Sequence, residues 1–127
     1  MKVELNKPNG TGVQRIIKAA NCSLKGFKYT IKSEAAFRQE LLLCLILLPT
    51  IYLLSSSFTQ SLIMLASLFI LLMAKLINSA IEALADKIKT EHDPLIGAAK
   101  DIGSATVFIS ISLIFIIWSL SIYHYLN

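Results

Sequence analysis

The sequence predicts an all-α membrane protein, an N-terminal amphipathic surface helix followed by three transmembrane helices, and three observations predict it. Of its 127 residues 55% are hydrophobic, and mean hydropathy is +0.67, too apolar for a small soluble domain. The apolar residues gather into three segments after Glu40, separated by polar stretches. All of the 12 Lys and Arg residues except Lys75 lie before the first apolar run or between the second and third segments. By the positive-inside rule those two regions are cytoplasmic, and the uncharged 55–61 turn and the C-terminus face the other side.

Residues 1–10 form a polar tail with Pro8 and Gly10 and no apolar stretch that would make a cleaved signal. Thr11 and Gln14 fit a capping box that starts a helix over 11–32. Along it Val13, Ile16, Ile17, Ala20, Leu24, Phe27 and Ile31 recur at helical steps, with Lys18, Lys25, Lys28 and Lys32 on one flank. Such a helix lies in the headgroup plane with its lysines toward anionic lipid, or else packs on a partner helix. The net charge of +4 comes without an aromatic-interleaved basic stripe, so no nucleic-acid module is expected. Asn21-Cys22-Ser23 matches a glycosylation sequon but falls on the cytoplasmic side.

Ser33 is placed to cap the first span, 35–54, whose run Leu41–Leu54 is short unless it recruits residues 35–39. Glu34 and Glu40 then sit at the membrane edge. Pro49 lies inside this span, where a neighbouring helix or a local kink must satisfy the freed carbonyl. The second span is 62–81 and carries Lys75. Residues 86–101, charged and containing Pro94 and Gly97, read as an aqueous connection. The third span, 102–126, is long enough to cross with some tilt and ends in Trp118, Tyr123 and Tyr125. Cys22 and Cys44 lack paired spacing and read as small apolar fillers. No internal repeat is visible, and the whole chain makes one membrane domain.

Chemistry concentrates in Lys75–Asp86, where Lys75, Asn78, Glu82 and Asp86 stack along one helix face. Ionisable groups beside hydrocarbon are costly, so this face wants a cation or a partner; the alternative is a helix end whose acids are already solvated. Arg15, Glu34, Glu40, Asn78, Glu82, Asp86, Lys100 and Asp101 all fall on one side of the membrane. Carboxylates near water, an amide one turn away and separate cations suit a site where magnesium bridges phosphates. Neither a P-loop nor a Rossmann glycine pattern is present, and the residues by themselves indicate a polyphosphate or metal site at the cytoplasmic surface.

The motifs RIIKAA at 15–20, EAAFRQE at 34–40, NSAIEALAD at 78–86 and AKDIGSA at 99–105 together closely resemble the prokaryotic diacylglycerol kinase family. The resemblance covers nearly the whole chain after Gly10. It implies a homotrimer of three-span protomers in the bacterial cytoplasmic (inner) membrane, with active sites between protomers. There ATP with Mg²⁺ would phosphorylate diacylglycerol to phosphatidic acid, a step of phospholipid biosynthesis. Carried over by position, Glu34 and Glu82 would hold the metal, supported by Asn78. Arg15, Cys22, Glu34, Glu82, Glu91, His92, Asp93, Lys100 and Asp101 would border ATP. Arg15, Ala19, Ala36, Phe37, Arg38, Gln39, Glu40, Lys75 and Ser104 would border the lipid.

One position departs from the pattern. Three residues before the asparagine the family carries a glutamate taken to be the general base, and here that residue is Lys75. A protonated lysine cannot accept a proton, which leaves a neutral lysine base, a transfer needing little base, or a protein that no longer turns over. The expectation is therefore a diacylglycerol kinase slowed or altered at Lys75. A kinase for another membrane alcohol such as undecaprenol, or a non-catalytic membrane-binding relative, are the alternatives.

Overall fold

The computed structural model describes residues 11–88 and 93–127, and all of its secondary structure is helical. Four helices follow one another: Val13–Ser33 (α1), Ala35–Leu54 (α2), Phe58–Ile88 (α3) and Pro94–Leu126 (α4). The last three are long and apolar enough to cross a membrane. The chain divides into two compact units, Met1–Ala35 and Ala36–Asn127.

In the first unit α1 begins at Gly12, whose φ of 61° is the left-handed conformation that glycine adopts without steric cost. The expected capping box at Thr11 does not form. Gly12 is the cap residue, and with no side chain it leaves the first-turn N–H groups without a side-chain acceptor. The helix ends at Glu34, in extended conformation, whose backbone N–H reaches the carbonyl of Thr30 at 3.1 Å. Ser33 does not cap α2: its hydroxyl turns back to the Tyr29 carbonyl at 2.8 Å, which fixes it in the last turn of α1.

The second unit is organised around α3 and α4. Met64, Ser67, Leu68, Leu71 and Asn78 lie on one buried face of α3, and Gly103, Val107, Ser110, Ile114, Trp118 and Ser121 of α4 are buried at three- and four-residue steps. Glycine and serine on these faces admit close backbone approach, which matters where lipid is as apolar as leucine and packing must drive association. The buried hydroxyls are satisfied on their own helices, Ser67 to Met64 and Ser110 to Val107. Cys44 and Ile51 of α2 join this core. Helix α2 continues through Pro49, and the next residue, Thr50, donates to Leu47 and accepts the indole N–H of Trp118 at 2.9 Å.

The connections are shorter than the sequence suggested. Only Ser55–Ser57 separate α2 from α3, because Ser57 and Gln60 close a reciprocal cap: the Gln60 N–H donates to the Ser57 hydroxyl, and the Ser56 N–H to the Gln60 side chain. Helix α3 runs past Ile81 to Ile88, and α4 begins at Pro94, a first-turn position where proline needs no partner for its missing N–H. Asp93 caps it by accepting from Leu95 and Ile96. Gly97 therefore lies within a helix, and of the described residues in the stretch expected as a broken connection all but Asp93 are helical. With about 1.5 Å per residue, α3 and α4 are each longer than the ~30 Å of a bilayer core by about three turns.

Candidate functional site

The C-terminal end of α3 carries the polar seam. Asn78 is 3% exposed, Glu82 is half-buried, and the Asp86 side chain is 69% exposed, so the seam leads from the packed core outward. The Asn78 amide donates to Glu82 Oε1 at 3.2 Å, one helical turn away. Its own oxygen is buried and accepts no hydrogen bond among the described residues. That oxygen lies against Gly103 of α4, where a Cβ would collide with it. Helix α4 thus approaches the Asn78–Glu82 pair so closely that any Cβ at position 103 would force the Asn78 side chain to shift.

One turn further out, Lys100 of α4 donates to Asp86 at 3.0 Å. The Asp86 carboxylate, by that hydrogen bond and by its charge, holds the Lys100 ammonium above the usual lysine range. In the opposite direction along α3, Lys75 faces Glu40 of α2, Nζ to Oε1 at 3.9 Å, with side chains 12% and 17% exposed. Three elements therefore converge: α2 brings Glu40, α3 brings Lys75, Asn78, Glu82 and Asp86, and α4 brings Lys100 and Gly103.

The remaining residues singled out from the sequence are distributed as follows. Arg15, Ala19 and Cys22 are exposed on α1, and their four- and three-residue spacing puts them on one helix face. Glu34 is the half-buried residue between α1 and α2. At the start of α2, Ala36, Arg38 and Gln39 are exposed and Phe37 is fully buried. Asp93 spends one oxygen on the α4 cap, while Asp101 and Ser104 are exposed on α4. Glu91 and His92 lie outside the described residues. Sequence reasoning missed Gly103; the signal was a glycine isolated within an otherwise helical pattern, a position that costs about 1 kcal/mol against alanine unless packing requires it.

Among the described residues no three His, Cys, Asp or Glu side chains gather closely enough to enclose a metal ion by themselves. Magnesium does not need such a cage, because it is commonly held by one or two carboxylates together with waters and substrate phosphates. The hard oxygens of Glu82 and Asn78, one of them buried without a hydrogen-bond donor, fit that ion.

The family model for prokaryotic diacylglycerol kinase matches residues 21–122. Diacylglycerol kinases of Pseudomonas aeruginosa, Haemophilus influenzae and Escherichia coli are 41%, 39% and 40% identical to the chain. These similarities cover 86%, 85% and 87% of this chain and 89%, 92% and 90% of the relatives. A match running from α1 nearly to the end of α4, with this similarity over almost the full length of each relative, shows that the chain belongs to the prokaryotic diacylglycerol kinase family.

Proposed function

We propose that this protein is a membrane lipid kinase that transfers the γ-phosphoryl group of ATP to diacylglycerol, giving phosphatidic acid and ADP. The observation that carries the proposal is the Asn78–Glu82 pair, wedged against Gly103 at the end of an apolar helix, in a chain of this family. The proposed magnesium ligands are Glu34 and Glu82. When bound, the ion supplies charge neutralisation at the phosphates. Asn78 supports the site by orienting the Glu82 carboxylate through its amide. Lys100, kept cationic beside Asp86, suits the outer phosphates, and Asp101 follows it on α4. Lys75 attracts phosphate but, as an ammonium, accepts no proton, so turnover is slowed there.

The proposed setting is a homotrimer in the bacterial inner membrane. Helix α1 is its amphipathic surface helix, supported by the apolar steps from Val13 to Ile31 and the lysine flank. Residues 1–33 and 87–101 are proposed to be cytoplasmic and 55–61 to lie outside, an arrangement supported by the lysine and arginine distribution. Membranes holding the protein, incubated with labelled ATP and a panel of alcohols, test the function: label in phosphatidic acid supports it. Label in undecaprenol alone shifts the acceptor, and no labelled lipid refutes the kinase. For topology, a cysteine at Ser56 is expected to react with an impermeant reagent in intact cells, and reaction of one at Lys87 refutes the orientation.

A further inference from the structure

We propose that Glu40 is the residue that receives the proton of the lipid hydroxyl, with Lys75 as its counter-ion. The inference rests on the lipid-kinase reading above and names the proton acceptor within it. Each transfer to an alcohol releases a proton, and a positioned base speeds that step. The described carboxylates of the unit Ala36–Asn127 are Glu40, Glu82, Asp86, Asp93 and Asp101. Asp93 is engaged in capping α4, Asp86 is held by Lys100 in solvent, and Asp101 is exposed on the same stretch of α4. Glu82 is tied to Asn78 and assigned to the metal.

Glu40 differs from all of them. It immediately precedes the apolar run of α2, its side chain is 17% exposed, and it faces an ammonium on the seam itself. In this apolar setting the Lys75 ammonium is the opposite charge that faces the carboxylate, Nζ to Oε1 at 3.9 Å. Within the pair only the carboxylate can take a proton. Lys75 lies three residues, ~4.5 Å of rise, before Asn78 and ~10.5 Å before Glu82 on one face of α3. A hydroxyl arriving from the bilayer side meets Glu40 while the nucleotide phosphates are held from the water side.

A lone pair of the lipid hydroxyl oxygen forms the new bond to the γ-phosphorus. The bond from that phosphorus to the bridging oxygen breaks, and its electron pair leaves with ADP. The hydroxyl proton passes to a Glu40 oxygen and is later released to water. Lys75 stays opposite the Glu40 carboxylate throughout as its counter-ion.

The test uses the full-length protein in detergent micelles with diacylglycerol, measuring kcat and MgATP affinity separately. Glu40→Gln is expected to lower kcat ~10²- to 10⁴-fold with MgATP affinity changed by less than about twofold. The neutral double variant Glu40→Gln with Lys75→Met, which removes both charges, is expected to be as slow; recovery to within about tenfold of wild type would make the pair structural and overturn the proposal. The exchanged variant Glu40→Lys with Lys75→Glu keeps a carboxylate opposite an ammonium and is expected to regain most of the lost rate. Where Glu40→Gln fails to accumulate, the exchanged variant decides alone, and its inactivity overturns the proposal. Wild-type protein that makes no phosphatidic acid refutes the functional reading, whereas active wild type with an unaffected Glu40→Gln refutes only the role of Glu40.

Discussion

The two ends of the α2–α3–α4 unit are built from different kinds of polar contact. At one end, charged or amide groups face each other as Lys75–Glu40, Asn78–Glu82 and Asp86–Lys100. At the other, Ser55, Ser57, Gln60 and Ser61 join in neutral hydrogen bonds around the turn, and Thr50 accepts from Trp118. Neutral, mostly local bonds are enough to end and restart a helix. Ion pairs at the edge of hydrocarbon are expensive to bring together, and a structure that needed only a turn would have no use for them. The asymmetry sets the end with the proposed site apart from the end that serves as a turn.

Substitutions can break that contrast. The largest effect is expected for Glu82→Gln, which removes a proposed metal ligand: kcat/KM with MgATP should fall by ~10²-fold or more, with the fold intact by circular dichroism. Unchanged Mg²⁺-dependent ATP binding would refute the assignment. Lys75→Glu should act in the opposite sense. It places an acid where the family carries its glutamate, and the rate on diacylglycerol should rise by about tenfold or more. If that variant abolishes a robust wild-type activity, the lysine is itself needed for transfer.

Gly103→Ala lies between the two kinds of effect. Its methyl group meets the Asn78 amide oxygen, so destabilisation of ~1–3 kcal/mol in detergent unfolding should accompany a loss of activity as Glu82 loses its orientation. An alanine variant with wild-type activity would show that Asn78 has room to move. The smallest effect is expected at the neutral end. Ser57→Ala removes the α3 cap, costs about 1 kcal/mol by the same unfolding measurement, and should leave kcat within about twofold of wild type.

Much of this arrangement is legible in the sequence because it is local. The apolar runs announce three membrane-length helices, and three- and four-residue spacing alone puts Lys75, Asn78 and Glu82 on one face. Local rules were less secure at helix ends. Thr11 and Gln14 had the composition of a capping box, yet Gly12 starts α1. Ser56, Ser57 and Gln60 cap α3 inside what read as a plain turn. Helix α3 also outlasts its apolar run, since Glu82, Ala83, Leu84 and Ala85 propagate a helix well in water. What could not be read are contacts between distant helices. Glu40 opposite Lys75, and Gly103 beneath Asn78, depend on how α2 and α4 dock on α3, and no spacing within one segment encodes that.

The bond between Thr50 and Trp118 has an optical consequence. Trp118 is the chain's single tryptophan, it is buried, and its indole N–H is held by a hydroxyl on another helix. Fluorescence excited at the indole band therefore reports one place only, the seat of α2 on α4, free of interference from the charged end. Detachment of α2 would expose the ring and move its emission, so ligand binding or unfolding can be followed in unlabelled protein at a site remote from the one being titrated.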